Sequence, residues 1–434
     1  MKKPRTKART RMRTSPLTHA LPAALRYASI LLLIIVAGLA LEYAAGLLPQ
    51  EAVMRHYAQS AEQLEAEGIQ PMILNGDRAD SMLDNGSEIR ILHYSAAMDT
   101  RAFPEAVLTN PAVLPEEDWR PMAYYEAAAS GAEHNYHYMR YWQGFRAIVR
   151  TLLWLCDYSR MRRLLLWAFT LLCAACALRL YQRTQRTAVS LVFVLSVLVM
   201  NPIVISTSFH YICCYALAML GVLTVPRHEK RPARFFFAMG ALTQFFDFYT
   251  APTLTLIYPL MTLLFVRAAD VRPRDALWRA LGCVTAWLCA YALMWLAKLC
   301  LTTWLTGLDA LGQGFNSFNF RVGIVKAERV AEYYSVPGAF AACLKVLGGA
   351  QLAALGMAFA GLCAWALRRG VSLPMGGAAL LLGCVPLLWI AVAAQPTAIH
   401  AYFQYRTLGG TVFAWLCAPL LGQAAKRDGR VLRA

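Results

Sequence analysis

The sequence predicts an all-α polytopic membrane protein with about ten transmembrane helices and one large outer-face segment between the first and second. Three observations predict it. The 434 residues are 58% hydrophobic and only 15% charged, with a mean hydropathy of +0.43, too little charge to cover a soluble surface of that size. Apolar runs of about twenty residues, the length that crosses a bilayer core, recur along the chain. Lys and Arg sit in short tracts beside those runs, the pattern of cytoplasmic loops. The net charge of +17 therefore reflects membrane patterning. No basic folded domain stands apart, so nucleic acid is not an expected partner.

Residues 1–26 form a basic tail, densest from Lys2 to Arg13. The first helix spans 27–48. Ala44 and Ala45 would also suit a signal-cleavage site, but the run is long enough to span, so an uncleaved helix is expected. Residues 49–160 follow as the outer-face segment, with 16 of the 25 acidic residues. It opens with an amphipathic helix from Glu51 to Glu67 and continues through Asn75-Gly76 and Asn85-Gly86 turns. Pro104, Pro111, Pro115 and Pro121 predict irregular structure. Arg146 and Arg150, among aromatics between Tyr138 and Leu155, predict a helix lying at the lipid interface.

A bundle of about nine further helices fills 161–424, near 164–181, 188–205, 209–225, 235–250, 253–266, 280–304, 342–367, 373–394 and 405–424. With the basic N-terminus inside, the inside connections carry Arg179, Arg183 and Arg186, then Arg227, Lys230, Arg231 and Arg234. Arg267, Arg272, Arg274 and Arg279 follow, then Arg368 and Arg369. The tail at 425–434 adds Lys426, Arg427, Arg430 and Arg433. Every inside segment is basic. This predicts a cell-membrane protein with both termini cytoplasmic.

The twelve cysteines avoid the hydrophilic segment from Glu51 to Leu155 and lie in apolar runs, where cysteine acts as a small hydrophobe. Cys173 and Cys176 form a CxxC within a span, with no second pair and no nearby histidine. That favours packing over metal or redox chemistry.

Four clusters could carry chemistry. Asp77 and Asp80, with Asp84 and Glu88 behind them, form a carboxylate pair. Such a pair can bind a divalent ion such as Mg or Mn, or tune one member as a general base, and it can equally be a solvated acidic turn. Asp247 ends the fifth helix among Phe245, Phe246, Phe248 and Tyr249. An ionisable group near the membrane boundary is a functional candidate, against the plainer role of pairing an arginine. His210 follows Asn201-Pro202, which would end the third helix near the outer surface, and could be a simple helix cap. Gln404 and Arg406 sit between Tyr402, Phe403 and Tyr405, where arginine can clamp phosphate or snorkel to head groups. His137 and Arg140, within Tyr136–Trp142, and Arg321 are similar outer-face groups. Lys298 is expected to snorkel, and Glu42 lies near a helix end. The predicted topology places Asp77, Asp80, His137, Arg140, His210, Asp247 and Arg406 on one face. That face suits a phosphate-bearing lipid at the leaflet surface.

The chain resembles the GT-C class of multi-helix glycosyltransferases, which use polyprenyl-phosphate sugars as donors. The likeness rests on the acidic loop with Asp77 and Asp80 after the first helix, on the outer turn from Asn201-Pro202 to His210, and on the polar turn from Asp247 to Pro252. It covers about the first 270 residues and is mainly architectural. It implies a lipid-linked sugar donor, a glycan or lipid acceptor, and inverting transfer. Asp77 or Asp80 would then be the catalytic base, with Arg140, Arg406 and a divalent ion stabilising the departing phosphate. The competing readings are a transporter or flippase for a lipid-linked or polar solute, and a scaffold whose outer loop binds a partner. Transporters place polar groups near the bilayer midplane, whereas these candidates cluster at one face.

Overall fold

The computed structural model describes residues 16–73, 78–98, 100–101, 103–115, 118–247, 249–268, 271–324 and 335–431. In chain order the helices are α1 (Pro16–Gly46), α2 (Gln50–Glu67), α3 (Asn85–Ala96), α4 (Glu105–Thr109), α5 (Pro121–Ala129), α6 (Phe145–Leu155) and α7 (Tyr158–Thr184). Then come α8 (Thr187–Leu198), α9 (Pro202–Ser206), α10 (Phe209–Thr224), α11 (Pro232–Phe246), α12 (Leu254–Arg267), α13 (Pro273–Thr306) and α14 (Ala310–Arg321). The last are α15 (Val336–Leu347), α16 (Gly349–Arg369), α17 (Leu373–Leu382), α18 (Val385–Val392), α19 (Ala394–Ile399), α20 (Ala401–Gln404) and α21 (Leu408–Val431). Two short strands, β1 (Pro111–Ala112) and β2 (Tyr136–His137), pair antiparallel.

Among the described residues six helical stretches are long and apolar enough to cross a bilayer: Ala24–Gly46, Tyr158–Thr184, Phe209–Arg227, Pro273–Thr306, Gly349–Arg369 and Leu373–Val392. By length and composition this is an all-α, multi-pass membrane protein. Each of the ten expected runs overlaps a helix, six of them the long apolar stretches, and the others are shorter or interrupted. The run at 188–205 breaks at Asn201, whose backbone is left-handed (φ 56°) ahead of Pro202. The run at 342–367 breaks at Gly348 (φ 85°) into α15 and α16. The fifth expected helix stops at Phe246, which leaves Asp247 outside it.

The bundle has one large apolar core, drawn chiefly from α7, α8, α10, α12, α13, α17 and α21. α11 and α13 approach closely because position 240 is glycine: a Cβ there would lie 2.2 Å from the Trp287 carbonyl oxygen. The twelve cysteines are free thiols, and the Cys176 thiol donates to the Met219 carbonyl at 3.2 Å, an ordinary packing contact.

The segment between α1 and α7 has its own core. α2 buries Val53, Tyr57, Ala61 and Leu64, one face at helical spacing, against α3, α5 and α6. Where the prolines predict irregularity, α4, α5 and the β1–β2 ladder intervene. The two arginines of α6 do not face outward: Arg146 and Arg150 are buried. Arg150 donates to the carbonyls of Ala45, Ala96 and Leu48 and to Gln50, tying α6 to the end of α1. Arg146 pairs with Glu42. Lys298 does not snorkel either: it is buried and donates to the Leu108 carbonyl at 2.5 Å. The segment is bonded to the bundle at the start of α10, through Glu88, and at the end of α11, where the Gly144 N–H meets the Phe245 carbonyl at 3.0 Å. A Cβ at Gly144 would fall 2.0 Å from the Phe245 ring, so only glycine permits that approach.

His93 lies inside this smaller core. Its Nδ1 is 3.1 Å from the Tyr124 carbonyl and 3.2 Å from the Tyr57 hydroxyl. Burial pushes its pKa down to about 4 from the ordinary 6.5, against the pull of the Tyr124 and Val113 carbonyls. Between these values the unfolded chain binds a proton that the folded chain refuses. The segment should therefore hold its full stability above pH 6.5 and lose it as pH falls toward 4. Hydrogen exchange in α2, α3 and α5 should accelerate over that window, and His93→Gln should flatten the dependence.

Candidate functional site

One cavity of about 180 Å³ lies where α3, the loop before α6, the start of α10, the end of α11 and the end of α14 meet. Arg90, Arg140, Arg321, His210 and Asp247 all line it, with Tyr94, Tyr138, Tyr141 and Tyr249 among the rings of its wall.

Each charged group is placed by a specific device. Gln313 on α14 clamps the strand leading to Arg140. Its Oε1 accepts the N–H groups of Met139 (2.7 Å) and Arg140 (3.0 Å), and its Nε2 donates to the His137 carbonyl (3.1 Å). The Trp295 indole N–H donates to the Arg140 carbonyl at 3.0 Å. With both its N–H and its carbonyl held, Arg140 lays its guanidinium over the Tyr138 ring at 4.6 Å. Arg321, the last residue of α14, donates from Nε to the Tyr141 hydroxyl at 2.8 Å and sits 4.4 Å over Tyr249. Arg90 donates to the Tyr124 hydroxyl at 3.2 Å and stacks on Trp119 at 4.4 Å. Among the described residues none of these three arginines has a carboxylate within 4.0 Å. Aromatic rings and hydroxyls orient them without neutralising their charge.

Asp247 follows the last turn of α11, and its Oδ1 accepts from the Cys214 thiol (2.6 Å) and the Thr250 hydroxyl (3.3 Å). His210 is the second residue of α10. Glu88 fixes its backbone by accepting its N–H at 2.8 Å, and its ring packs against Phe403, with centroids 4.6 Å apart. Asp84 caps α3 through the Ser87 N–H at 2.9 Å. The same carboxylate accepts the Tyr402 hydroxyl at 3.0 Å and lies 3.9 Å from His210 Nδ1. Burial works to raise the Asp84 pKa, but His210, Ser87 and Tyr402 outweigh it and hold the group below the usual carboxylate value.

The residues singled out from the sequence separate into two sets. Arg140, His210, Asp247 and Arg321 meet at the cavity. Asp80, His137, Gln404 and Arg406 are not among the residues that line it. Asp80 is buried, and its carboxylate is engaged by Arg78 at 2.5 and 3.1 Å. Its carbonyl accepts from Arg406 at 2.9 Å. Arg406 is fully buried and spends its donors on the carbonyls of Met200, Tyr402 and Asp80. It pins the turn before α21 and offers no grip for an external phosphate. Gln404 donates to the Tyr249 carbonyl at 3.1 Å, behind the cavity wall. His137 contributes its carbonyl to the Gln313 clamp. Asp77 lies outside the described residues. Of the pair expected to hold a Mg or Mn ion, only Asp80 is described, and its carboxylate is taken by Arg78; among the described residues no group of three or more His, Cys, Asp or Glu could hold a metal. Sequence reading missed Arg90 and the Asp84–His210 pairing. The i, i+4 repeat of Arg90 and Tyr94, two residues after Glu88, was the one local signal for the first.

No protein-family model, curated protein or solved structure matches this chain.

Proposed function

We propose that this protein is a membrane-embedded glycosyltransferase with ten spans and cytoplasmic termini. It binds the phosphate of a polyprenyl-phosphate sugar in the cavity and transfers the sugar to a glycan or lipid acceptor at the outer face. One observation carries the reading: three arginines line a single cavity, held by tyrosines and a tryptophan in place of carboxylates. Arginines left uncompensated in a largely apolar protein suit an anionic ligand, and a planar guanidinium matches phosphate oxygens. The cavity also holds two titratable side chains, His210 and Asp247, and one proton acceptor beside the arginines is what a transfer reaction needs and a pure binding site does not. In the reaction an acceptor hydroxyl attacks the anomeric carbon and inverts it. The phosphate departs with the bonding electron pair, and the arginines stabilise the charge that develops.

The test is binding of a short-chain polyprenyl phosphate to the purified protein in nanodiscs, followed by transfer of a labelled sugar. Arg140→Ala and Arg321→Ala should each weaken binding about 10- to 100-fold, the worth of a charge-assisted hydrogen bond to a buried anion. Asp80→Asn should bind within about twofold of the wild type, because its carboxylate faces Arg78. Unchanged binding in both arginine variants would sink the proposal. Movement of an intact lipid-linked sugar across proteoliposomes, without bond cleavage, would favour a flippase.

A further inference from the structure

We infer that His210, oriented by Asp84, accepts the proton of the acceptor hydroxyl, and that Asp247 does not. The inference rests on the transfer reaction proposed above and names the base within it.

Both groups line the cavity. They differ in what stands behind them. Asp247 Oδ1 already accepts a thiol and a hydroxyl hydrogen bond, from Cys214 and Thr250. Such bonds stabilise the carboxylate and reduce its appetite for a proton. His210 has the architecture of an activated base, in which a third group orients the ring. Its backbone is anchored by Glu88 and its ring is wedged between Tyr211 and Phe403. The Asp84 carboxylate stands 3.9 Å from Nδ1. That is longer than a hydrogen bond, as catalytic contacts often are before substrate binds.

Asp84 is itself fixed by Ser87 and Tyr402. A carboxylate facing Nδ1 favours the tautomer with the proton there and leaves Nε2 as the basic nitrogen. It also stabilises the imidazolium once formed. The other charged or titratable groups around the ring are Glu88 on α3, His400 ahead of α20, Arg406 ahead of α21, Tyr211 and Tyr402, and Asp247 in the cavity wall.

The step balances without a further reactant. The acceptor O–H bond breaks and its proton moves to Nε2 of His210. The oxygen forms the new bond to the anomeric carbon, and the bond from that carbon to the phosphate oxygen breaks with its electron pair on the phosphate. Asp84 is a positioning residue in this scheme and stays ionised throughout.

The experiment measures sugar transfer from a polyprenyl-phosphate donor from about pH 3 to about pH 9, with polyprenyl-phosphate binding measured in parallel. His210→Gln should lose about 10²- to 10⁴-fold in kcat, the usual worth of a general base, while binding stays within about twofold. Asp84→Asn keeps a good N-cap for α3. Removing its charge should move the acidic limb of the kcat/KM profile to lower pH, because the imidazole loses the partner that favours its protonated form. A merely structural role for Asp84 would lower activity without moving that limb. Asp247→Asn should retain at least a tenth of wild-type kcat. Transfer that survives His210→Gln, an unmoved limb in Asp84→Asn, or transfer abolished by Asp247→Asn would each overturn the assignment. A wild type that binds polyprenyl phosphate yet transfers no sugar would overturn both this assignment and the transferase reading.

Discussion

Glu42→Ala should destabilise this protein by about 3–5 kcal/mol, the cost of leaving one buried charge without its partner. Glu42 and Arg146 form an ion pair in which both side chains are at most 2% exposed. Lys298 is buried close by, over the Trp142 ring at 5.1 Å and bound to the Leu108 carbonyl. The three residues come from α1, α6 and α13, so the cluster joins the first helix, the segment after it and the main bundle. Removing Glu42 leaves the Arg146 guanidinium buried beside Lys298, with no carboxylate to offset its charge. Thermal unfolding in detergent should start many degrees lower, and α1 should become the first site of proteolysis. Glu42→Leu combined with Arg146→Met should recover much of the loss, because a matched apolar pair avoids desolvation altogether. A Glu42→Ala variant that melts with the wild type would show that the pair contributes nothing.

Glu88→Gln is the second large effect, and its size comes from geometry more than from shape. Glu88 Oε1 accepts the Ser208 hydroxyl (2.5 Å) and the His210 N–H (2.8 Å). Its Oε2 accepts the Tyr158 hydroxyl and the Phe209 N–H, the latter at 3.1 Å. Each oxygen therefore faces one backbone N–H at the start of α10, where the helix dipole also favours negative charge. A glutamine must turn its NH₂ toward one of those N–H donors, whichever way it is placed. Two donors then oppose one another in a buried position, at a cost of about 2–3 kcal/mol. Because the same bonds set the backbone of His210, the variant should also lose the sugar transfer proposed above, beyond what its lower stability explains. Comparing specific activity at a temperature where both proteins are folded separates the two effects. Equal stability of Glu88→Gln and the wild type would show that the cap is dispensable.

Much of the helical layout was legible in the sequence. Run length located the six long apolar stretches, and the 3.6-residue pattern of Val53, Tyr57, Ala61 and Leu64 located α2. The break at Asn201 was legible from the proline that follows it, whereas the one at Gly348 was harder, since it lies in an apolar stretch and only the backbone shows the positive φ. The arginines were hardest. Arg140, Arg146, Arg150, Arg321 and Arg406 all lie among aromatic and apolar residues, and as letters they are alike. Arg146 finds Glu42, 104 positions earlier in the chain. Arg150 and Arg406 are bound by backbone carbonyls. Among the described residues the side chains of Arg140 and Arg321 meet rings and hydroxyls in place of carboxylates. The acidic run from Asp80 to Glu88 divides in the same way. Asp80 meets Arg78, Asp84 faces His210, and Glu88 caps a helix 120 residues away.

The sequence by itself determined that the chain is built of apolar helices, where most of them lie, and that a polar, acid-rich segment follows the first. Those properties depend on residues near one another along the chain, on run length and helical period. Only the tertiary structure decided which charged groups are neutralised and which face a cavity. That depends on partners tens to hundreds of residues distant, because a buried charge takes its character from whatever the fold brings against it.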